Sequence, residues 1–330
     1  MSDRLQLALE AGLTCPEAGR IAVFHPRGGV DLAALPRARM LVIQPFRPDH
    51  DDYAAAGYEV VPRLPEGARF ALALVCLPRA KAQARALVAQ AAAVTDGVVV
   101  VDGAKTDGVD SLLRALRKRF DPAPPLAKAH GKIFWFPADA GDLSDWRAQS
   151  LGQVEGFRTA PGVFSADGVD PGSALLAAHL PRKLGRVAVD LGAGWGYLAA
   201  RALALDSGLE RLHLVEADRI ALDCAEVNLR DRRARFHWAD ARGWNPPEPV
   251  DCVVMNPPFH SGRAADPGLG RAFIAAAARI LAPRGQLWMV ANRHLPYEAE
   301  LGAHFAQVAE LAGDARFKIL QAARPSRPRG

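Results

Sequence analysis

Four consecutive residues, Asn256, Pro257, Pro258 and Phe259, follow the valine-rich run Asp251–Met255 (D-C-V-V-M). The two proline rings fix the backbone and carry no N–H. The Asn256 side-chain oxygen and the Pro257 carbonyl can therefore point at one spot as paired acceptors. Phe259 offers an aromatic face beside them. Such a pair suits a planar, conjugated amine, because two acceptors bind its two N–H groups and favour the pyramidal nitrogen that attacks an electrophile. The interaction strengthens as positive charge develops, which is what catalysis requires. Taken alone, N-P-P-F is equally a turn after a strand. The chemistry needs neither a metal nor a covalent nucleophile, and the sequence displays neither.

The electrophile is indicated by what precedes this tetrad. In V-A-V-D-L-G-A-G-W-G-Y-L (Val187–Leu198), a short apolar strand ends at Asp190, and Gly192, Ala193, Gly194 and Gly196 form a turn before a helix over Leu198–Ala204. Strand, glycine turn and helix bring backbone N–H groups and a helix N-terminus close to a nucleotide-like ligand. L-H-L-V-E (Leu212–Glu216) reads as a second strand ending in an acid about twenty residues on, where a carboxylate bonds two ribose hydroxyls. F-H-W-A-D (Phe236–Asp240) ends a third strand in a carboxylate suited to an adenine amino group, with Ala241 beside it. A ribose-and-adenine site facing an amine site points to S-adenosylmethionine as methyl donor. The NAD-dehydrogenase alternative fits less well: its fingerprint is G-x-G-x-x-G, whereas here the spacing is G-x-G-x-G, and N-P-P-F would have no role.

The first half repeats the alternation of strands and helices. Ile21–Phe24, Met40–Ile43, Tyr58–Val61, Leu72–Leu77 and Val98–Val101 read as strands, and the alanine-rich Arg79–Val94 and Val109–Phe120 read as helices. This pattern predicts a parallel α/β sheet. I-A-V-F-H-P-R-G-G-V parallels the glycine-turn segment with Phe24 in place of Asp190, and V-C-L-P parallels V-M-N-P with Leu77 in place of Asn256. The apolar skeleton persists and the polar ligand positions do not, as expected of a duplicated domain that has lost its cofactor site. Asp121–Pro125 (D-P-A-P-P) reads as a boundary or rigid connector. The segment Gly162–Leu176, turn residues leading into an apolar helix, is placed to cover the ligand pocket or simply to join the two halves.

The 330-residue chain is half hydrophobic and 23% charged, as in ordinary globular proteins. Its N-terminus carries Asp3, Arg4 and Glu10 where a signal peptide needs an apolar run, so a cytoplasmic protein away from membranes is expected. Cys15, Cys76, Cys224 and Cys252 form no C-x-x-C pair, which argues against zinc ribbons, iron–sulfur clusters and disulfide frameworks. The first 180 residues carry 20 Lys+Arg against 20 Asp+Glu and the remainder 21 against 16. The excess of positive charge suits RNA and equally a solvated arginine-rich face.

The second half resembles the ribosomal RNA small-subunit methyltransferase C family of class I methyltransferases. The resemblance rests on D-L-G-A-G-W-G-Y-L, N-P-P-F-H at Asn256–His260, F-S-A-D-G-V-D-P-G-S, and V-A-N-R-H-L-P-Y at Val290–Tyr297. It implies an α/β fold of two tandem Rossmann-like class I methyltransferase domains, the N-terminal one degenerate. The implied division is 1–125 without a cofactor site, 126–180 as connector and pocket-covering segment, and 181–330 as catalytic domain. The implied reaction is methyl transfer from S-adenosylmethionine to the exocyclic N2 of a guanine in 16S rRNA, with the first domain serving stability and RNA docking. Asp190, Gly192, Ala193, Gly194, Gly196, Glu216, Asp240 and Ala241 would hold the cofactor, and Asn256, Pro257 and Phe259 would bind the extruded guanine. The partner is then ribosomal RNA or the small subunit, and a two-domain monomer without metal is expected. The alternatives are a target in large-subunit rRNA, a protein glutamine or a DNA adenine, and a non-enzymatic RNA-binding assembly factor.

Overall fold

The computed structural model describes residues 2–148, 152–258, 260–261, 264–265 and 267–326. The chain divides into two units, Met1–Gly152 with Ala160–Gly162, and Gln153–Thr159 with Val163–Gly330. In the first unit the strands are β1 (Ile21–Phe24), β2 (Met40–Ile43), β3 (Val60–Val61), β4 (Phe70–Cys76), β5 (Thr95–Ala104), β6 (Leu126–Lys128) and β7 (Gly131–Pro137). They form one sheet in the order β3-β2-β1-β4-β5-β7-β6. Helices α1 (Ser2–Glu10), α2 (Arg47–Ala55), α3 (Lys81–Val94), α4 (Val109–Leu116) and α5 (Ser144–Ala148) accompany it. Because successive side chains of a strand face opposite ways, Ala22 and Phe24 join α3 and α4 in one core layer while Ile21 and Val23 join α1 and α2 in the other. Covering on both faces is why these strands read as unbroken apolar runs.

The second unit begins with a hairpin, β8 (Gly152–Val154) and β9 (Phe157–Thr159), followed by α6 (Pro171–His179). Its main sheet contains β10 (Val187–Leu191), β11 (Arg211–Glu216), β12 (Ala234–Trp238) and β13 (Val250–Met255). After a small hairpin, β14 (His260–Ser261) and β15 (Ala264–Ala265), come β16 (Leu281–Asn292), β17 (Phe305–Gly313) and β18 (Phe317–Pro325). Helices α7 (Tyr197–Leu205), α8 (Arg219–Asn228), α9 (Pro267–Ile280) and α10 (Tyr297–His304) complete it. The sheet order is β12-β11-β10-β13-β16-β18-β17. With the strands of each seven-stranded sheet numbered among themselves, both run 3-2-1-4-5-7-6, the topology expected of a duplication.

Three expectations need revision. Neither sheet is purely parallel, since β7 and β18 pair antiparallel to β5 and β16 and are followed in the sheet by antiparallel edge strands. The Asp121–Pro125 turn is internal to the first unit, because β6 and β7 come after it and bond onto β5. The division at 125 thus cuts through a sheet, and the stretch 126–180 is shared between the units. The internal alignment also shifts by one residue. Phe24 pairs with Ile43 as Leu191 pairs with Val215, and the next amides, His25 and Gly192, both donate to those partners' carbonyls at 2.9 Å. Val23, not Phe24, therefore matches Asp190, and in β4 Cys76, not Leu77, holds the position equivalent to Asn256.

Candidate active site

The carboxyl ends of β10, β11 and β13 carry the polar residues that the apolar strands leave exposed to a ligand, the usual place for a site in such sheets. Asp190 is buried, 1% exposed, and neither of its carboxylate oxygens has a hydrogen-bond partner. Burial pushes its pKa up to about 7; the nearby Ala199 amide, which falls short of hydrogen-bond geometry, opposes this and the Glu216 charge adds to it. An unpartnered buried carboxyl group is costly unless something binds it.

The chain then reverses through the glycine turn. The Gly192 and Ala193 amides donate to the Val215 carbonyl at 2.9 and 3.1 Å, which closes the turn onto β11. Gly196 enters α7 at φ +92°, and a Cβ there would meet Leu229 Cδ1 at 2.9 Å and Ala225 Cβ at 3.3 Å. Only glycine meets both demands, a left-handed backbone and close helix packing.

Glu216, at the end of β11, accepts from the Gly194 amide at 2.7 Å and from the Asp218 amide at 2.8 Å, one on each carboxylate oxygen. Each oxygen keeps a lone pair, enough for a diol. Burial, with the Asp218 charge, pushes Glu216 up to about 7 despite these amides. Asp218 caps α8 by accepting from the Ile220 amide at 2.9 Å, and burial pushes it up to about 6.

Asn256 lies just past β13 beside a small cleft whose wall includes Gly192, Ala193, Gly194, Ser173 and Asp170. Its Nδ2 donates to Asp170 Oδ2 and to Ser173 Oγ, each at 2.8 Å. A carboxylate only accepts, so the amide nitrogen must face Asp170 and the amide oxygen is left for the cleft. Pro257, next in the chain, is buried.

The remaining expected residues stand differently. Asp240, beyond β12, is held by Arg242, whose Nε lies 2.9 Å from both its oxygens and whose terminal nitrogen lies 2.6 Å from Oδ2. An adenine amino group would share Asp240 with this guanidinium. Ala241 is buried in the apolar core. Phe259 lies outside the described residues.

Phe164, Asp170, Ser173 and Trp195 stand inside motifs that carry the family resemblance, but the sequence assigns none of them an individual role. Asp170 caps α6, accepting from the Ser173 amide at 2.7 Å, with Pro171 as the first helical residue. An Asp-Pro helix start is a legible signal, but nothing local tells that its free side faces Asn256. Phe164 is 55% exposed at the cleft, and its carbonyl accepts from Trp195 Nε1 at 2.9 Å. The preceding segment is thus tied to the glycine turn. The donor set fits an adenosine-bearing cation: an unpartnered carboxyl for an ammonium, a second with spare lone pairs for a diol, and a close-packed glycine backbone between them.

A family described as Methyltransferase small domain matches residues 155–321. The chain is 33% identical to the Ribosomal RNA small subunit methyltransferase C of Shewanella sp. strain MR-4 over 270 residues, 78% of each protein. It is also 33% identical to the Hahella chejuensis protein of that name over 232 residues, 67% of this chain and 68% of that one. In structure it is similar to a T. thermophilus 16S rRNA N2 methyltransferase in complex with AdoMet and guanosine. The TM-score is 0.77 and the identity 25%, covering 98% of this chain and 91% of that chain.

Proposed function

The chain belongs to the ribosomal RNA small subunit methyltransferase C family, and on that premise we propose that Asn256 receives the exocyclic N2 amino group of a guanine in 16S rRNA. The protein is an S-adenosylmethionine-dependent rRNA methyltransferase of Rossmann-like fold. S-adenosylmethionine, when bound, supplies an electrophilic methyl group. Asp190 takes its ammonium end and Glu216 its ribose hydroxyls, while the Gly192–Gly196 backbone lets the ligand lie close. Asp240 serves the adenine amino group once Arg242 shares it.

Asn256 Oδ1 and the Pro257 carbonyl accept the two N–H groups of the guanine amine. These bonds hold the nitrogen pyramidal and strengthen as it becomes cationic, so they stabilise the transition state more than the ground state. The first unit, with Val23 and Cys76 at the positions of Asp190 and Asn256, serves stability and RNA docking. With both sheets in one chain, a monomer is the working unit.

One observation carries this reading: the Asn256 amide nitrogen is engaged by Asp170 and Ser173, leaving its oxygen as an acceptor. The test is methyl transfer from radiolabelled S-adenosylmethionine to unmodified small subunits, large subunits and naked rRNA, followed by nucleoside analysis. N2-methylguanosine from small-subunit material is the expected product. Label in another nucleoside would overturn the amine assignment, and label only in large subunits would overturn the target.

A further inference from the structure

We propose that Asp170 and Ser173 are positioning residues that decide which end of the Asn256 amide faces the cleft. This rests on the reading that Asn256 receives the guanine amine. The two ends of an asparagine amide have almost the same shape and opposite hydrogen-bonding character. An amine substrate needs the oxygen, and the nitrogen end would meet it donor to donor. The N-P-P backbone places the side chain but does not choose between the two ends.

The choice is made by Asp170 and Ser173. Asp170 Oδ2 and Ser173 Oγ each lie 2.8 Å from Asn256 Nδ2. A flipped amide would set its oxygen against the Asp170 carboxylate and leave acceptors unsatisfied in a half-buried place. Asp170 is itself immobilised, because the same Oδ2 accepts the Ser173 amide at 2.7 Å as the N-cap of α6. The start of a helix is a favourable place for this charge. Ser173, in the first turn of the same helix, is 8% exposed. The negative charge behind Nδ2 also polarises the amide, making Oδ1 a better acceptor for a nitrogen that becomes cationic. One helix start thus sets the orientation and polarity of a group 86 residues away in the chain.

The test uses the full-length protein, unmodified small subunits and four variants: Asn256→Ala, Asp170→Ala, Asp170→Asn and Ser173→Ala. Each is assayed for kcat and KM, for S-adenosylmethionine affinity by calorimetry, and for thermal unfolding. Asp170→Ala is expected to lower kcat roughly tenfold to 100-fold, the scale of a misplaced catalytic group, with cofactor affinity unchanged. Asp170→Asn, which keeps an acceptor oxygen but not the charge, should recover part of that loss. Ser173→Ala should lose less, since Asp170 remains. Loss of the helix cap alone would move the melting temperature without separating kcat from cofactor binding.

A second readout is the preference for guanosine over inosine, which lacks the amino group, as a competing ligand. Asp170→Ala and Asn256→Ala should both abolish it. Undiminished kcat in Asp170→Ala would overturn the proposal, and so would a loss confined to S-adenosylmethionine affinity, which would assign Asp170 to the cofactor. Full activity in Asn256→Ala would instead bring down the underlying reading, and the two failures are therefore distinguishable.

Discussion

At the end of the second strand of each large sheet stands a side chain of the same length, Gln44 in the first half and Glu216 in the second. One oxygen of each accepts from the amide two residues on, Phe46 at 2.9 Å and Asp218 at 2.8 Å. The other end differs by a single atom. Gln44 Nε2 donates to the Pro26 carbonyl at 2.6 Å, whereas Glu216 Oε2 accepts from the Gly194 amide at 2.7 Å. The direction of the bond to the neighbouring loop is reversed. The amide nitrogen is spent on its own loop, while the carboxylate keeps lone pairs for a ligand. One strand over, Val23 is buried without cost where Asp190 holds an unsatisfied carboxyl group. The same topology survives both arrangements, so the fold depends on the apolar skeleton and the site on a few atoms added to it.

Separating fold from chemistry should begin with the first half. Arg4 and Asp102 form a buried two-pronged ion pair there, at 2.6 and 2.9 Å. Arg4→Ala leaves the Asp102 charge unpartnered, with an expected loss of about 3–5 kcal/mol in denaturant unfolding. Methyl transfer per folded molecule should stay as it was. A selective loss of turnover at full stability would mean that the first half takes part in the chemistry.

Next, Asn256→Cys gives the second half the residue that the first half has at this register. Turnover should fall roughly 100- to 1000-fold, the scale for losing one transition-state hydrogen-bonding group, with cofactor affinity kept. Glu216→Gln copies Gln44, and weaker S-adenosylmethionine binding by about tenfold or more is expected, as for lost charged hydrogen bonds. The converse Gln44→Glu should add no second binding event in calorimetry, because Val23 still stands where Asp190 would be needed.

The smallest effect is on pH dependence. Asp190 and Glu216 titrate near 7 in the ligand-free protein, above ordinary carboxylates. Between the ordinary range and about 7 the native state holds protons that the unfolded chain has lost. Ligand-free stability from these groups is therefore fullest below the ordinary carboxylate range and is lost progressively as pH rises from there through about 7. Cofactor binding should run the other way, weakening as pH falls below 7 and releasing protons when it occurs. Calorimetry in buffers of different ionisation enthalpy reads this release, and Asp190→Asn should diminish it.

Much of the fold was legible because local pattern dictates local conformation. Ile21–Phe24, Met40–Ile43 and Val187–Leu191 are strands where apolar runs said so, and Lys81–Val94 is a helix where alanine dominates. Antiparallel β7 and β18 were not legible, since pairing direction depends on a partner far along the chain. The one-residue error in matching Phe24 to Asp190 has the same origin. The first half is apolar throughout at that point, and only the register of the paired strands decides which of its residues stands where Asp190 does.

By itself the sequence determined the strand ends, the glycine turn and the presence of Asp190, Glu216, Asp240 and Asn256 at those ends, because strand periodicity and turn chemistry act over a few residues. Tertiary structure alone decided that Asp190 is left without a partner and that Asp170 orients the Asn256 amide. Protonation and amide orientation are set by whichever groups packing brings within hydrogen-bond distance, and here the decisive pair is separated by 86 residues.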